Sequence, residues 1–182
     1  GESKLVVENI LSESSKTDSE WSAVILRYFN PIGAHPSGVI GENPKGTPTN
    51  LVPYIAGVAT GVYDKVFVFG GDYPTQDGTG VRDYIHVMDL ARGHIKALEV
   101  ILEKTGVVKV NLGTGKGFSV LDVIYTFEKV SGVKIPYEIV GRRLGDIGEC
   151  YADPSYASEV LAWRAEFAIL RMCEDKWRWK KS

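Results

Sequence analysis

The sequence predicts an α/β fold in which short buried strands alternate with longer amphipathic helices. Apolar runs such as Ala23-Val24-Ile25-Leu26 and Val107-Val108-Lys109-Val110 are continuous and only a few residues long, as in strands covered on both faces. Between such runs, apolar residues recur at helical spacing behind capping residues. Glycine and proline gather in the connections. A chain of 182 residues with 44% hydrophobic and 24% charged residues can hold one core-bearing domain, which excludes disorder for most of it.

The elements follow in order. Val6, Val7, Ile10 and Leu11 fall on one helical stripe directly behind Gly1-Glu2-Ser3-Lys4. A helix entered without a cap is a first hint that the chain is truncated. After a polar stretch over 12–20, residues 23–29 read as a buried strand that ends at Asn30-Pro31. Residues 31–50 hold four Pro and four Gly and form a long loop. Connections of that length are usually functional. Asn50 can cap a helix to about Gly61, and residues 66–69 read as a strand before the turn-rich stretch 70–80. Residues 84–87 form a short strand. Asp89 is expected to cap a helix to Lys104, with Leu90, Ala91, His94, Ala97, Leu98 and Ile101 facing the core. Residues 107–112 are another strand. Ser119 and Asp122 then cap a helix carrying Val123, Ile124 and Phe127 and stopped by Gly132. A strand over 135–140, a polar loop over 142–150, a cap at Asp153 with Pro154 at the first helical position, and a closing helix over 166–180 complete the chain.

Composition narrows the function. A net charge of -2 and a pI near 6.0 argue against a nucleic-acid partner, so the partner is expected to be small. Cys150 and Cys173 have no C-x-x-C spacing and no nearby His pair, which points to neither a disulfide framework nor a metal site. Reduced thiols suit a cytoplasmic setting. No apolar run approaches the roughly 20 residues that span a bilayer, and the polar opening is no signal peptide, so no membrane partner is expected.

Two loops draw attention as binding elements. Residues 78–89, Gly-Thr-Gly-Val-Arg-Asp-Tyr-Ile-His-Val-Met-Asp, set Arg82 behind a glycine turn. Residues 142–146 set Arg143 near Asp146. A guanidinium offers a planar fork of donors suited to a diphosphate, and a neighbouring carboxylate can bind a hydroxyl. Taken alone, the first loop more commonly reads as a structural Arg-Asp pair on a strand end and the second as a solvated polar loop; together they suggest a phosphate ester that carries a sugar. The strand ending Tyr28-Phe29-Asn30-Pro31 is a ligand position or simply a turn. Gly113-Thr114-Gly115-Lys116-Gly117 resembles a phosphate loop, but its spacing is G-x-G-x-G, and a tight strand-to-helix turn is the favoured reading. No nucleophile or acid-base pair stands out.

The ordered motifs Y-F-N-P-I-G-A-H, P-T-N-L-V-P-Y, D-G-T-G-V-R-D-Y-I-H-V-M-D-L, N-L-G-T-G, R-R-L-G-D and M-C-E-D-K-W-R-W together resemble the UDP-galactose (UDP-glucose) 4-epimerases of the extended short-chain dehydrogenase/reductase superfamily. The resemblance runs from Gly1 to Ser182 but matches only the carboxy-terminal half of such an enzyme. It implies part of an NAD(P)-binding Rossmann-type parallel sheet, with residues about 1–30 and 107–132 packing on that sheet. The rest would form a smaller mixed α/β substrate domain, and the amino-terminal NAD-binding half would be absent.

The resemblance also implies roles. Lys4 matches the Lys of a catalytic Y-x-x-x-K whose Tyr would precede Gly1; it would bind the nicotinamide ribose of NAD and favour the phenolate of that Tyr. Phe29 would line the nicotinamide site. Asn30, Asn50 and Leu51 would meet the UDP-sugar, Phe67, Val68 and Phe69 would flank the uracil, Arg82 and Arg143 would hold the diphosphate, and Asp146 a ribose hydroxyl. Cys150 stands where Tyr occurs in relatives restricted to UDP-glucose and UDP-galactose, so UDP-N-acetylhexosamines are expected as further substrates. The intact enzyme is expected to be a homodimer. Rival expectations are a UDP-glucuronate decarboxylase or nucleotide-sugar dehydratase, and a non-catalytic UDP-sugar-binding or dimerisation module.

Overall fold

Two strands distant in sequence lie side by side in parallel: β1 (Ser22–Tyr28) pairs with β5 (Gly106–Leu112) from Ser22 opposite Gly106 to Tyr28 opposite Leu112. Both are β-branched runs without internal Gly or Pro, as strand propensity requires. The computed structural model describes residues 2–18 and 20–182; Gly1 and Ser19 lie outside the described residues. Parallel pairing needs a crossover, and part of it is α3 (Val87–Glu103), which packs on β1.

A second sheet is built around β4 (Val81–His86). Its carboxy-terminal part pairs in parallel with β2 (Asn30–Ile32), and its start lies between antiparallel β6 (Gly117–Ser119) and parallel β8 (Glu149–Cys150). A third, two-stranded sheet joins β3 (Val66–Phe69) to β7 (Tyr137–Val140), again in parallel. The sheets therefore pair mainly in parallel, as an α/β fold requires.

Two cores result. One gathers Val52 and Ile55 of α2 (Leu51–Ala59), Val66 and Val68 of β3, Ile124 and Phe127 of α4 (Val120–Ser131), and Met172 and Cys173 of α6 (Ile169–Lys181). Burial pushes the Cys173 thiol up to about 12, so it packs as an apolar group. The other core gathers Leu90 and Val100 of α3, Val110 and Leu112 of β5, and Ala157, Leu161 and Trp163 from α5 (Ser155–Leu161) and the residues after it. α4 packs on α2 and α6 in the first core.

Several local expectations are corrected. His86, not Asp89, is the N-cap of α3: its Nδ1 accepts the Met88 N–H at 3.0 Å. Asp89 instead lies buried in the first turn, where Oδ2 accepts the N–H groups of Glu166 (3.1 Å) and Phe167 (3.0 Å). That clamp holds the residues before α6 in irregular form, so the helix starts at Ile169 rather than at 166. The buried stripe of α3 runs through Leu90, Gly93, Ala97 and Val100, leaving Leu98 outside. Gly93 sets this rotation, because a Cβ there would stand 2.7 Å from Leu112 Cδ1. The cap of α5 is Pro154 rather than Asp153, with the Asp153 carboxylate accepting the Ser155 N–H at 3.0 Å. Asn50 occupies the N-cap position of α2, yet its side chain makes no cap bond. α4 matches its expectation: Ser119 and Asp122 form a reciprocal capping box, and Gly132 ends the helix at φ 70°.

α1 (Glu2–Thr17) is a helix as its stripe predicts, but the stripe is not what it buries. Leu5, Val6, Val7 and Ile10 are exposed, and Glu8 is the buried residue, paired with Arg27 on β1 and 3.9 Å from Lys109 on β5. No helix among the described residues is long and apolar enough to cross a membrane.

Candidate functional site

The sides of β3 and β4 that lead away from the first core, together with the start of α2 and the loop after β7, enclose a cavity of about 500 Å³. Alternation along β3 builds one wall: Val66 and Val68 turn into the core, while Phe67 and Phe69 turn out, 43% and 40% exposed. The Val66 N–H bonds Pro136 and the Gly70 N–H bonds Val140 across to β7. By the same alternation the backbone groups of Phe67 and Phe69 point to the opposite edge of the strand. β4 builds the facing wall with Arg82 and Tyr84, two residues apart and therefore on one face. Burial pushes the Tyr84 phenol well above its ordinary range, so it stays neutral.

Polar groups converge here from four segments. Asn30 enters from the start of β2, and Asn50 with Leu51 from the start of α2, where the amide left free of a capping bond remains available and the helix dipole favours an anion. Arg82 Nη1 donates to the carbonyls of Val81 (2.8 Å) and Gly148 (3.4 Å). Arg143 Nε donates to Asp146 Oδ2 at 3.0 Å, and its guanidinium lies 4.7 Å above the Phe69 ring. The charged residues of the wall are thus two Arg against one Asp, a surplus of positive charge suited to an anionic ligand. Nine positions named from the sequence share this one cavity: Asn30, Asn50, Leu51, Phe67, Val68, Phe69, Arg82, Arg143 and Asp146. Of these Val68 offers it little, since its side chain is in the core.

Three positions lie elsewhere. Lys4 is on the exposed side of α1, and Phe29 is half-buried at the end of β1, its N–H donating to Leu112. Cys150 is opposite Arg82 on β8, beside the cavity but not in its wall. A larger cavity of about 650 Å³, between the 38–48 loop and α6, includes none of the sequence-predicted positions. Among the described residues no cluster of His, Cys, Asp and Glu could hold a metal ion.

The glycine turn after β5 is not a phosphate cradle. Its donors already face the carboxylate of Asp83, which is fully buried. Asp83 Oδ1 accepts from the Thr114 hydroxyl (2.6 Å) and N–H (3.0 Å), and Oδ2 from the N–H groups of Gly115 (2.9 Å) and Ala152 (3.2 Å). One side chain therefore ties β4 to the turn after β5 and to the end of β8, which fixes Arg82 on its strand. NAD phosphates cannot use that turn. Sequence reasoning missed the Asp83 clasp and three wall tyrosines, Tyr54, Tyr73 and Tyr84. The two-residue spacing from Arg82 could have found Tyr84; nothing in the sequence singles out Tyr73.

This geometry, an α/β frame whose strand ends and loops assemble a cavity with a surplus of positive charge, agrees with sequence comparison. Residues 1–113 match the NAD dependent epimerase/dehydratase family, and the chain belongs to that family. The whole chain is 57% identical to the UDP-glucose 4-epimerase of Bacillus subtilis and 55% identical to that of Homo sapiens, covering 54% and 52% of those proteins. It spans about half the length of the curated relatives it matches. Among solved structures, 98% of the chain superposes with a TM-score of 0.95 on 53% of the UDP-glucose 4-epimerase from Bifidobacterium longum in complex with NAD+ and UDP, at 54% identity. The Stenotrophomonas maltophila enzyme with bound NAD and formylated UDP-arabinopyranose gives the same TM-score of 0.95 and coverage, at 51% identity. The fold is accordingly α/β, with parallel strands of a Rossmann-type enzyme.

Proposed function

We propose that the cavity binds the UDP part of a UDP-hexose and that this chain is the substrate-holding half of a UDP-glucose 4-epimerase. The observation that carries this reading is the convergence of Arg82 and Arg143 on one cavity. Phe67 and Phe69 lie beside them and turn unpaired backbone donors and acceptors toward the ligand. Uracil presents an alternating acceptor-donor-acceptor edge, which such a strand edge can match. Arg82 and Arg143 would hold the diphosphate, Asp146 a ribose hydroxyl, and Asn30 and Asn50 the sugar side.

In the intact enzyme UDP-galactose and UDP-glucose would interconvert through a transient 4-keto sugar. Bound NAD would supply hydride chemistry at C4, and an upstream Tyr would take the 4-hydroxyl proton. Lys4 would hold the nicotinamide ribose and stabilise that phenolate, and Phe29 would flank the nicotinamide. Residues 1–182 alone are expected to be inactive; interconversion by this chain would overturn the division of labour. β1, β5 and α1 would pack against the dinucleotide-binding half, the intact protein being a cytoplasmic homodimer. Cys150, smaller than a Tyr and opposite Arg82, would leave room for an acetamido group and admit UDP-N-acetylglucosamine and UDP-N-acetylgalactosamine. Equal turnover of the acetylated sugar by an intact Cys150→Tyr enzyme would refute that.

The direct test is calorimetric titration with UDP. Arg82→Ala and Arg143→Ala should each weaken UDP about tenfold or more, since a hydrogen bond to a charged group contributes roughly 1.5–3 kcal/mol. UDP bound no more tightly than uridine would sink the reading.

A further inference from the structure

We infer that the Tyr73 hydroxyl is a ligand-binding group of the same cavity and that it donates to an oxygen of the diphosphate; this rests on the UDP reading above. Tyr73 is 6% exposed and part of the cavity wall. Its backbone is satisfied, the N–H donating to Gly78 (2.9 Å) and the carbonyl accepting from Thr75 (2.8 Å). Its hydroxyl is the one buried side-chain polar atom among the described residues with no hydrogen-bond partner. Native proteins rarely leave such a group unpaired, because burying it without a partner is costly; those that persist often serve function.

The surroundings indicate what would complete it. The ring is wedged between two glycines: a Cβ on Gly70 would lie 2.5 Å from Tyr73 Cε2, and one on Gly148 3.5 Å from Cδ1. Gly70 also has a φ of +87°, which disfavours any other residue there. Both glycines adjoin the seats of the cavity arginines, since Gly148 accepts from Arg82 and Phe69, directly before Gly70, lies under Arg143. A third guanidinium, that of Arg142, stacks 4.2 Å above the Tyr73 ring. Guanidinium groups carry donors and no acceptor, so none of the three can receive the phenolic proton. An anionic oxygen drawn in by those arginines can. The Arg142 that stacks on the ring is held to Asp72 at the surface, by an ion pair whose members are 45% and 75% exposed, an interaction of little strength, and by a hydrogen bond from Nη2 to the Asp72 carbonyl at 2.7 Å.

The test compares the wild-type protein with Tyr73→Phe, which keeps the ring and removes only the hydroxyl. Both are melted without ligand and titrated with UDP and with uridine. Because the lost group is unpaired in the free protein, the variant should melt at the same or a higher temperature. It should nevertheless bind UDP about tenfold or more weakly and bind uridine unchanged. A purely structural tyrosine would lower stability, so a lower melting temperature overturns the inference. UDP affinity within about twofold of wild type, or an equal loss for uridine, also overturns it. A wild-type protein that fails to bind UDP overturns the reading of the cavity itself, a result distinguishable from the others.

Discussion

The two cores of this molecule differ in how completely they close. Around α2, α4 and α6, Ile55, Ile124 and Phe127 are fully buried, and Val52 and Met172 are 1% exposed. On the side of α1, β1, β5 and α3 the chain leaves Leu5, Val6, Val7, Ile10, Ile95, Leu98 and Leu102 exposed, and α1 meets the strands through the Glu8–Arg27 pair. The cavity lies against the closed core. Side chains that must hold a ligand in fixed geometry stand on a frame whose own packing is complete, whereas the open side gains little from its apolar residues within these contacts.

Truncating the closed core should therefore have the largest effect. Phe127→Ala removes a fully buried ring that meets Trp177 edge-on at 5.9 Å, and it should destabilise by about 3–5 kcal/mol in denaturant titration. A loss under about 1 kcal/mol would mean that this core is as loosely filled as the open side. Next comes the clasp. Asp83→Ala strands the N–H group of buried Ala152 and those of half-buried Thr114 and Gly115, for a loss of about 3 kcal/mol, and by loosening β4 it should weaken UDP as well. Loss of stability with UDP affinity intact would separate Asp83 from the placement of Arg82.

The difference between the cores also marks what could be read from the sequence. Strands β1, β3 and β5 announce themselves by β-branched runs, and the box of Ser119 and Asp122 by residues three apart, because both signals are local. The two arginine loops could be identified as phosphate ligands by chemistry, though the cavity they share depends on pairings between residues about 70 positions apart, such as Arg82 with Cys150. β2 and β8 were illegible because partners on β4 make them strands; Pro31 and the lone Glu149-Cys150 pair carry no strand pattern of their own. The α3 stripe went astray because an apolar pattern takes no account of Gly93, which the Leu112 side chain approaches so closely that a Cβ there would stand 2.7 Å from Cδ1.

A smaller effect depends on pH. His86 is fully buried, and its Nε2–H donates to Asp175 at 3.2 Å beside the Phe167 ring. Burial holds its imidazole below the ordinary value, against the pull of Asp175. With the folded value lowered, the unfolded chain takes up a proton that the folded chain refuses, so stability is full above pH about 6.5 and declines as pH falls below it. Melting temperatures should fall below that point, and His86→Asn, less stable overall, should lose the slope. An unchanged slope in the variant would assign it to another group.

The smallest expected effect probes the open side directly. Leu98 is 62% exposed on α3, one position off the buried stripe. Leu98→Gln keeps a good helix former, and most of the side chain it alters is already in water, so the change in stability should stay within about 0.5 kcal/mol. Were the same face covered in solution, the substitution would remove a buried leucine contribution of roughly 1.5–3 kcal/mol. Denaturant titration resolves that difference. A loss above about 1 kcal/mol would mean that the side left open by these residues is closed by something else, and that the contrast between the two cores belongs to this stretch of chain rather than to the protein in solution.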